Sequence, residues 1–285
     1  MTRTIRVGCV QLNGGQDMAA NLARTEALIR EAHAKGARFI ATPENTPLME
    51  HRTDISRAAA EPTAGHPAVK LFASLARELG AYLLLGSHAA RGHGERLHNR
   101  SVLFDDRGAI AASYDKIHMF DVELSDGATY RESSNFEPGT DALVADAPFG
   151  RLGLTVCYDM RFAYLYRLLA QAGAEILTVP SAFTQVTGEA HWHVLLRARA
   201  IETGSYVIAP AQCGSHSGNR RTFGHSLIVD PWGRVLEDGG TEEGVIVADL
   251  DLAKVTEARA RIPALKHDRP VKLSGISKPN VAASR

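Results

Sequence analysis

Three residues of this chain stand where chemistry is usually done. Cys157 closes the apolar run RLGLTVC and is followed at once by Tyr158-Asp159-Met160-Arg161; Glu44 follows FIATP; Lys116 follows AIAASYD. In open α/β sheets ligands gather beyond the carboxyl ends of the strands, and all three residues fall at such ends. Each has a plainer reading alone. A cysteine is often a buried small hydrophobe, a loop glutamate is usually solvated, and a lone lysine reads as surface. Together they supply what acyl transfer at an amide needs: a soft nucleophile, a carboxylate to move protons, and a fixed cation for the developing oxyanion. With Tyr158-Asp159-Met160-Arg161 opening the next helix, the Cys157 sulfur is expected at a helix N-terminus near a cation, where the thiolate is favoured.

The elements that must position these residues occur twice. IRVGCVQL reads as a buried strand, residues 21 to 35 carry apolar positions at helical spacing, and GARFIATPE is a strand ended by proline. From residue 151 the same order returns as RLGLTVCYD, LYRLLAQAG and GAEILTVPS, with Gly36 on Gly173 and Pro43 on Pro180 at one offset. Further on, Glu78, Gly80 and Tyr82 match Glu202, Gly204 and Tyr206 at a shorter offset, and Ser101 and Gly108 match Ser226 and Gly233 in two hairpins with D-x-x-G turns. The offset shortens because the loop after Glu44 is longer than the one after Ser181, and an extra loop in one copy often serves a site. Residues 3 to 250 therefore read as two similar halves of an α/β protein. Sheets covered by helices and packed on each other predict a four-layer α-β-β-α sandwich, one domain over 1–270 with a polar tail at 271–285 that wraps a neighbour or frays. Ser181 holds in the second half the position of Glu44 in the first, so the scaffold itself does not demand a carboxylate there.

Composition narrows the partners. The chain has 285 residues, and its 32 basic and 32 acidic side chains cancel, leaving no global field for nucleic acid or an anionic membrane surface. No run approaches the ~20 apolar residues needed to span a bilayer, and the first residues lack the apolar core of a secretory signal. A cytoplasmic protein with a small-molecule partner is expected. Three cysteines, Cys9, Cys157 and Cys213, are an odd number for a disulfide framework and are read as reduced thiols.

The motifs ATPENTP, YDKIHMFDVEL and LTVCYDMRF, in this order, resemble the nitrilase superfamily of carbon-nitrogen hydrolases over about residues 3 to 270. KIHMFDVEL, CYDMRF, AEILTVPSAFTQVTGEAHWHVLLRARAIET and GHSLIVDPWG look most like its branch of deaminated glutathione amidases and omega-amidases. The resemblance implies hydrolysis of a terminal amide in a small acid, with Cys157 as nucleophile, Glu44 as general base and Lys116 holding the oxyanion. It also implies a second glutamate, Glu132 in YRESSNFEPG, to position the amide and keep Lys116 charged. The implied fold is α-β-β-α, the implied assembly a homodimer or larger, and no cofactor or metal is required. Where the family commonly continues CYDMRF with Pro-Glu, this chain has Ala163-Tyr164, a change that bears on substrate choice or the dimer contact.

Substrate contacts are expected from Tyr158, whose N–H follows the nucleophile, from Ser181, and from Arg161 as a cation for a substrate carboxylate. The plain alternative for Arg161 is an ion pair with Asp159 or Glu132. Rival functions are a nitrilase or N-carbamoyl hydrolase using the same residues, or a catalytically silent member that binds a metabolite or partner. Among the twelve histidines, His191 and His193 point to different faces of a predicted helix and His88, His93 and His98 lie in a Gly-rich loop, so no spacing suggests a metal site. Phe39, Trp192 and Met160 are expected in the core or lining a pocket.

Overall fold

The fold is read from a computed structural model that describes residues 3–50, 52–92, 94–124 and 127–275. Strand β1 (Thr4–Gln11) leads to helix α1 (Met18–Ala34), whose first N–H groups, those of Ala19 and Ala20, are donated to the Asp17 side chain. An acceptor there satisfies donors that a helix start leaves free. β2 (Phe39–Ala41) returns parallel to β1. A short α2 (Thr53–Ala59) precedes α3 (Pro67–Leu79), and β3 (Tyr82–Arg91), β4 (Leu97–Phe104) and β5 (Ile110–Asp115) complete the half. A hairpin of β6 (Asp121–Glu123) and β7 (Thr129–Arg131) follows, then β8 (Leu143–Ala147).

The order then repeats. β9 (Gly150–Leu154), α4 (Ala163–Gln171), β10 (Ile176–Thr178), α5 (Gln185–Thr203) and β11 (Tyr206–Ala209) form the second unit. An inserted hairpin, β12 (Cys213–Ser215) and β13 (Arg221–Phe223), comes before β14 (Leu227–Val229) and β15 (Val235–Asp238). β16 (Gly244–Asp251) and α6 (Ala253–Arg261) close the chain's regular structure.

Two six-stranded sheets result, in the orders β16-β1-β2-β3-β4-β5 and β15-β14-β11-β10-β9-β8. Between them lie Val7, Phe39 and Leu84 of one sheet and Leu152, Leu154 and Ile208 of the other. Outside the first sheet, Leu28 and Ile29 of α1 and Phe72 of α3 cover Ile40, Leu83 and Leu85, while α4 and α5 cover the second sheet with Leu169, Trp192 and Leu196. This is the α-β-β-α sandwich. Phe39, Met160 and Trp192 are fully buried in it.

The repeat is visible in backbone detail. Gly80 and Gly204 end α3 and α5 at φ 57° and 59°, a left-handed conformation in which a side chain is strained. In the two D-x-x-G turns, Asp105 accepts the N–H groups of Arg107 and Ala109, and Asp230 those of Trp232 and Arg234.

One feature of the repeat differs from the sequence reading. β16, the last strand of the second half, does not join the second sheet; it pairs antiparallel with β1 along its whole length, from Thr4 opposite Asp251 to Gln11 opposite Gly244. β8 plays the same part beside β9. Each sheet is thus completed by the strand that follows the other half's hairpin. A second difference concerns the segment after the cysteine: Cys157–Arg161 is a short 3₁₀ turn, and the α-helix starts only at Ala163. Of the tail, residues up to 275 are described; just before it, Arg167 and Gln171 of α4 bind Asp268 and the carbonyls of Ala264 and Leu265. Residues 276–285 of the expected 271–285 tail lie outside the described residues, as does His93.

Candidate active site

Glu44, Lys116 and Cys157 stand just past the ends of β2, β5 and β9, and the sandwich turns those ends toward one another. The Glu44 loop sits tightly on β3: a Cβ at Gly86 would lie 2.0 Å from the Thr42 carbonyl oxygen, so only glycine permits the approach. Asn45, next to Glu44, has φ 56°, and its N–H donates to Ser87 Oγ at 2.9 Å. Glu44 is held from the second half as well, since the Ala182 N–H donates to Oε2 at 2.9 Å and Gln212 Nε2 to its carbonyl at 3.0 Å.

Cys157 has φ 48°, a left-handed conformation rare for a side-chain-bearing residue, and its N–H donates to the Pro180 carbonyl at 2.9 Å. Such geometry costs about 1–3 kcal/mol and persists only where the surroundings impose it. Asp159 anchors the turn. Fully buried, it accepts the Val156 N–H at 2.9 Å, the Tyr114 hydroxyl at 2.7 Å and the His118 N–H at 3.0 Å. The same carboxylate therefore ties the Cys157 turn to the β5 segment on both sides of Lys116.

Lys116 Nζ donates to Glu44 Oε1 at 2.9 Å and to both oxygens of Glu132 at 3.0 and 2.8 Å. Asn99 Nδ2 bridges the same two carboxylates at 2.9 and 3.0 Å, and the Phe120 N–H donates to Glu132 at 2.7 Å. Burial favours the neutral Glu44, but the Lys116 ammonium, the Cys157 thiol that donates to it and Arg220 hold its carboxyl below the ordinary value. For Lys116, burial is outweighed by Glu132 and Glu44, which keep the ammonium protonated well above its usual range. Burial and the Glu44 charge push the Cys157 thiol well above its ordinary value, against the pull of Lys116. The expected thiolate is therefore not the resting form: with a 3₁₀ turn in place of a helix start, no aligned run of peptide dipoles offsets desolvation.

A cavity of about 580 Å³ opens on this cluster, with Glu44, Asn99, Lys116, Glu132, Cys157 and Tyr158 in its wall. Residues of the long loop after Glu44, among them Ser56 and Ala59 of α2, form another part of the wall, as the extra length in the first half suggested. His66 and His88 line the cavity too. Burial, with His66 and Arg100 adding to it, pushes His88 down to about 3, so the ring is neutral, and neither ring nitrogen has a partner among the described residues.

Residues 6–260 match the profile of the family described as carbon-nitrogen hydrolase. The chain belongs to the carbon-nitrogen hydrolase family. A deaminated glutathione amidase of Yersinia enterocolitica is 39% identical over 94% of each chain, and mouse omega-amidase NIT2 is 37% identical over 93% of this chain and 95% of its own. The crystal structure of Saccharomyces cerevisiae Nit3, from the nitrilase superfamily, superposes with a TM-score of 0.84 at 30% identity, covering 93% of this chain and 96% of that one. The hydrolase is an amidase that acts on non-peptide C–N bonds, and its fold is the nitrilase α-β-β-α fold.

Within this hydrolase two expected substrate contacts are elsewhere. Ser181 is fully buried, donates to the Val179 carbonyl, and is not in the cavity wall; its neighbour Ala182 makes the contact with Glu44. Arg161 is outside the wall as well, lying over the Phe183 and Tyr158 rings at 5.2 and 5.8 Å with Nη2 3.3 Å from His191 Nδ1. Neither ion pair offered as its alternative forms, because Asp159 and Glu132 are taken by the contacts above. Among the wall residues that the sequence did not single out are Asn99 and Arg220. Asn99 could have been found by comparing the halves, since Gly224 stands at its place in the second copy; Arg220, in an insert without counterpart, carried no signal.

Proposed function

We propose that this hydrolase releases ammonia from the terminal amide of a small carboxylic acid through a thioester on Cys157. What carries the reading is Lys116 bound to both Glu44 and Glu132 beside Cys157 in one cavity wall. Because the thiol rests protonated, Glu44 takes its proton as sulfur attacks the carbonyl carbon. Negative charge then develops on the substrate oxygen, where Lys116 and the N–H of Tyr158 stabilise it. Glu44 passes the proton to the departing ammonia and afterwards activates the water that cleaves the thioester. Glu132 positions Lys116 and keeps it charged. This sequence needs no metal or organic cofactor.

The cation for a substrate carboxylate is Arg220 in this proposal. It lines the cavity, donates to the Ala182 carbonyl at 2.9 Å, lies 5.6 Å over Tyr130, and has a buried Nε without a partner among the described residues. The names of the relatives support testing deaminated glutathione first and short omega-amides second. Ammonia release by the purified protein from deaminated glutathione, beside alpha-ketoglutaramate, tests the choice; carbon dioxide released with ammonia from an N-carbamoyl acid would move it to the rival class. Arg220→Met should raise KM for the acid about 10- to 100-fold, the worth of one charged hydrogen bond.

The assembly we propose is a homodimer or larger, supported by exposed apolar side chains on the outer helices, Leu168 of α4 and Val194 and Ile201 of α5. Tyr164, one of the two departures from the family pattern, is also exposed there and makes a 2.6 Å hydrogen bond with His118 Nε2, outside the cavity. It therefore bears on the outer face more directly than on substrate choice. Mass by light scattering checks the assembly. No helix among the described residues is long and apolar enough to cross a membrane. The three buried free thiols support a reducing, cytoplasmic setting, and the domain is taken to end near residue 270.

A further inference from the structure

Two histidines that play no part in the catalytic cavity meet an aspartate at one end of the second sheet. His193 Nε2 lies 2.9 Å from Asp238 Oδ2, His225 Nδ1 lies 2.8 Å from Asp238 Oδ1, and the three atoms that could ligate fall within 4.8 Å of one another. We propose that His193, His225 and Asp238 form a binding site for a divalent transition cation of the zinc type. Among the described residues no other three such side chains meet this closely.

The donor set selects the ion. Two imidazole nitrogens and one carboxylate oxygen suit zinc and its neighbours, whereas calcium and magnesium take oxygen ligands. Three protein ligands leave a fourth position for water. The rings are already held: His225 stacks on Phe223 at 4.4 Å and 23°, His193 stands edge-on to the same ring at 6.0 Å, and the two imidazoles meet at 5.2 Å. The His225 carbonyl accepts Trp192 Nε1 at 2.8 Å, its N–H donates to the Gly240 carbonyl at 2.6 Å, and the Gly240 N–H orients Asp238 Oδ1 at 2.9 Å. Ordering that is already present lowers the cost of binding.

Access is open, with the three side chains 36%, 24% and 34% exposed. Without metal each ring N–H donates to Asp238. On binding, each proton moves to the other nitrogen of its ring, which frees the lone pair of the ligating nitrogen for the ion. The ion would tie α5 to the end of β15 and to the segment between β13 and β14, and α5 carries Thr187 of the cavity wall.

Isothermal titration of the chelator-treated full chain with Zn²⁺ alone is expected to show one equivalent bound at about 1 μM or tighter. Binding should weaken at least about tenfold in His193→Gln and in Asp238→Asn, and persist in Cys157→Ala, which separates the site from the catalytic thiol. Melting without metal checks that both ligand variants are folded, and zinc should raise the melting temperature of the unmodified protein and of Cys157→Ala by more than that of either ligand variant. No stoichiometric binding, or equal binding in both ligand variants, would overturn the proposal.

Discussion

In the proposed mechanism Cys157 acts as a nucleophile from a place that keeps its proton on, and this shapes how the site responds to pH. A thiol near its ordinary value, about 8.5, would be alkylated roughly tenfold faster per pH unit on the way up. With Glu44 held charged as the proposed proton acceptor, alkylation of Cys157 by iodoacetamide should be nearly flat from about pH 6 to 9. Stability carries the opposite sign for the two kinds of group. Glu44, held low, contributes stability that is present above the ordinary carboxylate range and lost as pH falls through its folded value. Lys116, held high, contributes stability present below the ordinary ammonium range and lost as pH rises through its folded value. Cys157, raised, costs stability once the unfolded thiol ionises. Between pH 9 and 10 denaturant midpoints should show Cys157→Ala losing less stability than the parent, by about 1.4 kcal/mol per pH unit. The same substitution should cut ammonia release by about 10⁴-fold or more. Asn99→Leu, which removes the bridge between Glu44 and Glu132, should lower kcat by about 10²-fold with KM little changed.

At the scale of elements, the two helix-ending glycines offer a controlled comparison. A Cβ at Gly80 would meet nothing within 4 Å, so Gly80→Ala should cost only the left-handed backbone, about 1–2 kcal/mol. A Cβ at Gly204 would come within 2.9 Å of Arg259 Cγ, whose guanidinium donates to the Thr203 and Ala174 carbonyls, so Gly204→Ala should cost measurably more. Urea midpoints decide this. Both glycines were legible in the sequence because a helix stop recurs at the same place in two copies. The turn at Cys157 was not, because apolar periodicity cannot distinguish a 3₁₀ turn from the start of an α-helix. What separates them is the carboxylate of Asp159, gathering donors from Val156, Tyr114 and His118.

For the whole molecule, the exchange of β8 and β16 makes either half incomplete alone, since each sheet lacks an edge strand without the other. Unfolding should therefore be shared. In a background with Cys157 and Cys213 replaced by alanine, exposure of the Cys9 thiol in β1 and the fluorescence of Trp192 in α5 should change at the same urea concentration. Separate midpoints would mean that the halves unfold as independent units.

The sequence by itself determined the repeat, the layers and three of the chemical positions. Alternating strands and helices, recurring glycines and prolines, and strand-end Glu44, Lys116 and Cys157 are local signals, and local signals survive without coordinates. Tertiary structure alone decided what lies across from what. It placed Asn99 between the two glutamates, exchanged Arg161 for Arg220 in the cavity, moved β16 to the first sheet, and brought His193 and His225 to Asp238. Those contacts join residues far apart in the chain, and the closeness of such pairs follows from how the two sheets pack, which no spacing along the chain records.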